Sequence, residues 1–144
     1  MPNKLPPQVP GYGYPSHLTR LAEVWGMLRL TGAAGGYFEN MWLWVADHIF
    51  DTGASINVTS SRGMLIQSSG PVTMLGVAAE HSSDYQYFLD GASDVTMVLT
   101  QSETPYWQNP PTALALKMHN SNNIRSYGAV SHQPCNLALV FVSF

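Results

Sequence analysis

The sequence predicts an all-β protein, and within that class a parallel β-helix, from three observations. From residue 37 onward, short runs rich in β-branched and aromatic residues each end at Gly, Asn, Asp or Ser. No helical pattern separates these runs, which is typical of a sandwich, a barrel or a solenoid. Residues 90–98 and 120–128 both begin with a polar turn and continue into a short β run. A parallel β-helix needs such a turn on every circuit, so the repetition favours the solenoid.

The N-terminal part of the chain differs in composition from the rest. Residues 1–16 contain five prolines and two glycines, which disfavour both helix and ladder hydrogen bonds, so a disordered Pro-rich arm is predicted. Residues 17–30 carry apolar side chains at spacings of three and four, which predicts a short amphipathic helix. A strand over residues 25–30 is the alternative. Residues 17–144 are then expected to form one partial β-helix domain.

Nine strands are predicted in the rest of the chain. They cover residues 41–46, 55–59, 64–67, 72–77, 86–89, 95–100, 113–118, 123–127 and 138–142. Residues 105–111 contain three prolines and cannot form a central strand, so they are predicted to leave the coil as an excursion.

The composition narrows the class of ligand. Only 10% of the residues are charged, against about 25% in typical domains. The six basic side chains are scattered among nine acids, so no basic stripe is available for a phosphate backbone and no nucleic-acid partner is expected. A polar, uncharged surface with many Tyr and Trp side chains suits a neutral hydroxylated ligand such as a glycan. No apolar stretch approaches the roughly 18 residues that span a bilayer, so no membrane segment is expected.

Export signals, disulfides and metal sites find no support in the sequence. Residues 1–13 contain Pro and Tyr in place of a charged region followed by an apolar run, so they are not a secretory signal. Cys135 is the single cysteine, so its partner is missing or the thiol is simply buried. The histidines show no HxxxH or HxH spacing, and neither a metal nor a cofactor is predicted. They are His17, His48, His81, His119 and His132.

Five motifs in order over residues 37–108 resemble the C-terminal β-helix of the family-55 glycoside hydrolases, the fungal exo-β-1,3-glucanases. They are YFENMWLWVADH at 37–48, RGMLIQSSGPV at 62–72, GVAAEH at 76–81, YQY at 85–87 and QSETPYWQ at 101–108. The segment NSNNIRSYG at 120–128 resembles a later rung of the same family. The residues before about position 25 lie outside the resemblance.

The resemblance implies both a fold and an activity. Members of this family are built from two tandem right-handed β-helices with the substrate cleft between them. They are secreted, and they release sugar from the non-reducing end of β-1,3-glucans with inversion. The chain resembles the second helix only, which implies a partial right-handed β-helix whose partners are β-1,3-glucan and an N-terminal β-helix half. The alternative is a non-catalytic remnant with at most weak glycan binding, because an isolated half would lose one wall of the sugar site.

By its position in the GVAAEH motif, the resemblance makes Glu80 the general acid. An inverting glycosidase needs one protonated carboxyl for the leaving oxygen and a water activated on the opposite face of the sugar ring. The small apolar run at 77–79 favours a desolvated, protonated carboxyl at Glu80. His81 would project to the opposite side of a strand, so no proton-shuttle role is expected of it.

Several other residues are candidates for positioning the water or for contacting the sugar. Asp47 and His48 follow a predicted strand and are candidates for positioning the water; the alternative is that they satisfy turn backbone groups. Asp51 and Glu103 are further acids available for a second role. Six residues are predicted to contact the sugar, namely Tyr85, Gln86, Gln101, Glu103, Tyr106 and Trp107. For Tyr87 and Phe88 the alternative is a position in a core ladder, which applies to at least one of them because neighbours in a strand face opposite sides.

Overall fold

The chain winds into a parallel β-helix. A computed structural model describes residues 24–56 and 58–132, together with the backbone of residues 136–139. These described residues form thirteen strands and no helix, so they include no helix long and apolar enough to cross a membrane. The strands are β1 (Leu28–Gly32), β2 (Gly36–Glu39), β3 (Trp42–Trp44), β4 (Arg62–Ser68), β5 (Val72–Leu75), β6 (Ala78–Glu80), β7 (Tyr85–Asp90), β8 (Ser93–Val98), β9 (Gln101–Glu103), β10 (Leu114–His119), β11 (Asn122–Tyr127), β12 (Val130–His132) and β13 (Asn136–Leu139).

Three parallel sheets form the faces of this coil. The first sheet has the order β1-β4-β7-β10-β13, the second β11-β8-β5-β2 and the third β12-β9-β6-β3. Each rung therefore supplies one strand to each sheet, and the next rung stacks on it in parallel register. This is the architecture that the repeated turn pattern predicts.

The interior is filled by rows of apolar side chains, with one residue from each rung. Successive side chains of a strand face opposite sides, so in-register stacking brings equivalent inward residues together. In the first sheet Met64 pairs with Tyr87 and Ile66 pairs with Leu89. All four are buried in the core. The second sheet adds the stacked pairs Val72 with Val95 and Met74 with Met97.

The corner between the second and third sheets is made the same way on every described rung. One residue with positive φ directly follows the strand of the second sheet: Asn40 at 51°, Gly76 at 61°, Leu99 at 50° and Gly128 at 66°. The backbone amides of Asn40, Gly76 and Leu99 each donate to a carbonyl of the next rung, so the corners stack as well. Glycine adopts this conformation without steric cost, whereas an L-residue such as leucine is strained there.

The corner between the third and first sheets is irregular, because the connections between these sheets differ greatly in length from rung to rung. The first rung leaves the coil after β3 for residues 45–61, and the third rung leaves it after β9 for residues 104–113. Between them, the second rung makes only the short turn His81–Asp84 before β7 begins. The two excursions therefore flank a short turn that follows directly on Glu80.

Most predicted strands are confirmed. Those at 64–67, 72–77, 86–89, 95–100, 113–118 and 123–127 correspond to β4, β5, β7, β8, β10 and β11. The prediction at 41–46 shortens to β3, and the one at 138–142 overlaps β13. The prediction at 55–59 is wrong, since Ser55 makes an isolated antiparallel bridge with His48 within the first excursion. The excursion predicted at 105–111 is confirmed, because the described residues between β9 and β10 form no strand.

The predicted helix over 17–30 is wrong where it can be compared with the structure. Residues 28–30 belong to β1, and their apolar side chains Leu28 and Leu30 alternate with Arg29 as a half-buried strand requires. The alternative, a strand within 25–30, is confirmed over this part. The arm at 1–16, residues 17–23 and Cys135 lie outside the described residues.

Candidate active site

Glu80 ends β6, on the outer face of the third sheet. Ala79 points into the core, so the neighbouring Glu80 side chain points outward, in the same row as Trp44 below and Glu103 above. The residue is nevertheless only 7% exposed. Oε2 of Glu80 accepts a hydrogen bond of 2.8 Å from the indole Nε1 of Trp42. Because an indole N–H only donates, this bond orients the carboxyl group and leaves its other oxygen for a second partner.

Asp47 joins two histidines on neighbouring rungs. Its Oδ1 lies 2.9 Å from Nδ1 of His48 and 2.9 Å from Nδ1 of His81. Burial of Asp47 raises its pKa, but the hydrogen bonds from His81 and His48 outweigh the burial, so the pKa lies below its ordinary value. The buried Asp47 side chain is therefore a carboxylate at neutral pH.

His81 does not follow the alternation assumed from the sequence. It comes after the last residue of β6 and has a φ of 64°, so the backbone turns at this residue and the strand geometry ends. The imidazole is buried against Tyr106, with the ring centres 4.6 Å apart. The expectation that His81 lies opposite the site is thus corrected: the ring reaches Asp47 and Tyr106 at the same corner.

Tyr106, from the second excursion, lies near three acidic side chains of the site. Partial burial of Tyr106 raises its pKa, and a hydrogen bond to Glu103 raises it further, as do the nearby charges of Glu103, Glu80 and Asp47. Three acids from three different rung positions therefore surround one phenol. The ring also lies 5.8 Å from that of His48.

A group of aromatic side chains covers the surface beside Glu80. The rings of Trp42 and Trp44 are stacked, with centres 4.9 Å apart and planes 17° from parallel. Phe50, in the first excursion, packs its edge against both indoles at 6.0 and 6.1 Å. Trp42 is 49% exposed and Phe50 71% exposed, so the group presents apolar ring surface to solvent.

The two excursions enclose a pocket of 330 Å³. It is lined by Asp47, His48, Phe50, Gly53, Ser55, Tyr106 and Trp107. A pocket of this size with aromatic walls and a few polar groups has the general character of a small-ligand site.

Two glutamine amides hold the turn that carries His81. Gln86 is fully buried, and its amide accepts from the backbone N–H of Ser82 and donates to the Ser82 carbonyl. Gln108 donates to the Ser83 carbonyl and accepts from the backbone N–H of Ala113. The second excursion is thereby fastened to the same turn.

Gln86 and Tyr85, two of the residues predicted to contact the sugar, are buried and bond or pack within the protein. The amide oxygen and the amide nitrogen of Gln86 both bond to Ser82 in the turn, so the Gln86 amide is not available to a ligand. Tyr85 is 2% exposed, packs against Phe88 with ring centres 5.2 Å apart, and burial raises its pKa to about 12. Tyr87 lies in the core ladder: it points inward, and its hydroxyl shares one hydrogen between the carbonyls of Val77 and Gln101 at 2.8 and 2.9 Å.

The remaining predicted residues are brought together. Gln101 and Glu103 lie on the outward row of β9, Glu103 directly beside Glu80. Tyr106 and Trp107 line the pocket with Asp47 and His48. Sequence reasoning missed His81, Trp42 and Phe50. The spacing of two between Trp42 and Trp44 could have signalled that both face outward, whereas no sequence signal marks the positive φ of His81.

The fold and site thus define a parallel β-helix that carries a carboxyl group among exposed aromatic rings, and known proteins share part of its sequence. A protein of Arthroderma benhamiae named probable glucan endo-1,3-beta-glucosidase is 48% identical over 90 residues, which are 61% of this chain and 10% of that protein. A Penicillium expansum protein named non-secreted LysM effector LysM15 is 43% identical over 89 residues, 60% of this chain and 6% of its own length. A Cochliobolus carbonum glucan 1,3-beta-glucosidase is 42% identical over 84 residues, 57% of this chain and 10% of its own length.

The chain therefore corresponds to about a tenth or less of the length of these curated relatives. No model of a known protein family matches it.

Proposed function

We propose that this chain is a segment of a family-55-type glucanase, a secreted enzyme that hydrolyses β-1,3-glucosidic bonds from the end of a glucan with inversion, and that Glu80 is the general acid. The observation that carries the proposal is the Glu80 carboxyl group, nearly buried, oriented by Trp42 and bordered by aromatic rings. An oriented carboxyl in a largely desolvated position is the group that protonates a leaving glycosidic oxygen. Two of the relatives bear names of glucan glucosidases, which supports the substrate class.

The surroundings suit a neutral sugar. The exposed faces of Trp42 and Phe50 offer apolar ring surface for a pyranose, and Gln101 and Glu103 offer hydrogen-bonding groups on the neighbouring strand. Tyr106 and Trp107 would form the opposite rim from the second excursion. Glu103 is proposed as a sugar ligand, because its backbone neighbours that of Glu80 at about 4.8 Å, the spacing of adjacent strands.

The water that attacks the sugar needs a separate position. Inverting glycosidases hold their two carboxyl groups about 6.5–9.5 Å apart to leave room for it. Asp47 and His48 are proposed for this role, His48 in contact with the water and Asp47 orienting the ring through Nδ1. Both residues line the pocket beside Tyr106.

Glucose release from laminarin by the purified chain tests the proposal. The assay would be run at about pH 5, where a carboxylic acid is still partly protonated. Glu80→Gln should abolish release, whereas Glu39→Gln, which changes an exposed acid at the end of β2, should not. Release that persists in Glu80→Gln would exclude Glu80 as the acid.

Glycan binding without catalysis is the second candidate function. The relatives are far longer than the chain, and one of them is named an effector, not a glucosidase. The stacked Trp42–Trp44 pair would be sufficient for weak stacking against sugar rings. Slowed migration of the chain in laminarin-containing gels, lost in Trp42→Ala, together with no glucose release from folded protein, would favour this function.

A further inference from the structure

Asp47, His48 and His81 form a group of metal-ligand type, and two of its members, Asp47 and His48, are also the residues proposed above to position the water. Each offers one oxygen or imidazole nitrogen, and these three atoms lie within 4.8 Å of one another. We propose that the chain binds one divalent transition-metal ion of the zinc type through Asp47, His48 and His81. The proposal goes beyond glucan hydrolysis and does not require that the chain be active.

The donor set determines the class of metal. Two imidazoles and one carboxylate suit zinc and similar transition-metal ions, whereas calcium and magnesium are bound mostly by oxygen. Three protein ligands leave at least one coordination position for water. Asp47 and His48 line the 330 Å³ pocket, so that position is accessible from solvent.

The ligand atoms must move closer to tetrahedral spacing to accept an ion. Zinc bonds of about 2.0–2.2 Å place tetrahedral ligands roughly 3.4 Å apart. The two contacts of Asp47 Oδ1 are 2.9 Å, slightly shorter than this separation, and the whole group spans at most 4.8 Å. The His81 side chain is 1% exposed, whereas the His48 side chain is 21% exposed on an excursion, so His48 is the ligand with more room to adjust.

The electrostatics favour a cation at this point. In the described part of the chain, Glu80 and Glu103 are two further acids near Tyr106, whose ring contacts those of both His48 and His81. The ligands come from the first excursion and from the turn of the second rung, so a bound ion would fasten residues 45–61 to the coil.

Zinc binding by the purified, chelator-treated chain tests the proposal directly. Calorimetric titration with zinc chloride is expected to give one ion per chain, and zinc should raise the thermal unfolding midpoint because metal binding stabilises the folded state. All proteins would carry Cys135→Ser, so that the single thiol supplies no ligand. His48→Gln and His81→Gln are expected to weaken binding at least tenfold.

His119→Gln is the matched control, because His119 also pairs with an acid, Asp90, at 2.8 Å but has no third ligand beside it among the residues that the structure describes. It should bind zinc like the parent. No binding by the parent, binding unchanged in His48→Gln, or calcium binding as tight as zinc would each overturn the proposal. His48 lies near the surface, so its variant keeps the test valid even if His81→Gln fails to fold. No glucan is present in this titration, so its outcome is separate from that of the hydrolysis assay.

Discussion

The indole of Trp42 and the carboxyl of Glu80 are joined by a hydrogen bond of 2.8 Å between neighbouring rungs. Trp42 is in register with Ala78, so the bond runs diagonally across two strands of the third sheet. The nearly buried carboxyl has little access to water, and an intramolecular hydrogen bond of this kind contributes about 0.5–1.5 kcal/mol. The bond is therefore expected to contribute to stability as well as to the orientation of Glu80.

A double-mutant cycle with Trp42→Phe and Glu80→Ala measures this contribution. Phenylalanine keeps a ring against Trp44 but has no N–H, so the coupling free energy from urea unfolding should be about 0.5–1.5 kcal/mol. The cycle of Trp44→Phe with Glu80→Ala is the control and should show a smaller coupling. Equal couplings in the two cycles would mean that ring packing, not the hydrogen bond, connects these residues.

The two glutamines that hold the turn should differ in their effect on stability. Gln86→Leu leaves a buried N–H and a buried carbonyl of Ser82 without partners, so we expect a loss of about 2–4 kcal/mol in the free energy of unfolding. Gln108→Leu acts on a partly buried pair that water can reach, so its loss should stay near about 1 kcal/mol. Urea unfolding of both variants checks the ranking; a larger loss for Gln108→Leu would contradict it.

Asp90 lies in a polar ladder across the outer face of the first sheet. Its carboxylate accepts from Nε2 of Gln67 at 2.8 Å and lies 2.8 Å from Nδ1 of His119. Arg29 in turn donates to Oε1 of Gln67. The hydrogen bond from His119 lowers the pKa of Asp90 below its ordinary value of 3.8; burial opposes this shift and the bond from Gln67 adds to it.

Asp90→Asn should consequently lower stability in a pH-dependent way. A carboxyl whose pKa is lower in the folded state stabilises the protein above its ordinary pKa, and the effect disappears as the pH falls through the folded value. The difference from the parent should therefore be constant near neutral pH and shrink below about pH 4. Because the side chain is 30% exposed, it should not exceed about 1 kcal/mol.

Urea unfolding at several pH values measures this dependence. Asp51→Asn, at an exposed position in the first excursion, is the control. A difference between Asp90→Asn and the parent that grows towards low pH would reverse the sign of the argument.

The sequence predicts strands whose inward residues are aliphatic, and it misses β6 and β9, whose inward residues are small or polar. β4 and β8 are predicted because they place the apolar residues Met64 and Ile66, and Val95 and Met97, at every second position of a short β run. β6 and β9 have only three residues each, and Ala79 and Ser102 are too small or polar to give a signal. Their existence follows from stacking on neighbouring rungs, which is a tertiary property.

The residues of the site also divide into those that a sequence motif identifies and those that only the tertiary structure brings together. Glu80, Tyr106 and Trp107 are recognisable from motifs, whereas the approach of His81 to Asp47 depends on a left-handed backbone turn and on two residues 34 positions apart. Spacing rules for metal ligands look along one segment of chain, and a β-helix brings ligands together across rungs. This is why the histidine pattern alone predicts no metal.

Substitution of Leu99 tests whether backbone strain at the corner between the second and third sheets lowers the stability of the protein. Asn40, Gly76 and Gly128 occupy the equivalent positions, and Leu99 is 62% exposed with a φ of 50°. The left-handed conformation costs a residue with a β-carbon about 1–2 kcal/mol, while glycine loses about 0.5–1 kcal/mol through the entropy of the unfolded chain. Leu99→Gly should therefore stabilise the protein by up to about 1 kcal/mol.

The neighbouring residue supplies the control for this substitution. Val98 ends β8 with ordinary strand geometry, so Val98→Gly removes packing and gains no relief of strain. Thermal unfolding should thus shift by a few degrees in opposite directions for the two variants. A lower midpoint for Leu99→Gly would mean that the contact of its side chain with the Gly128 corner of the next rung outweighs the strain, and that this corner is stabilised by side-chain stacking.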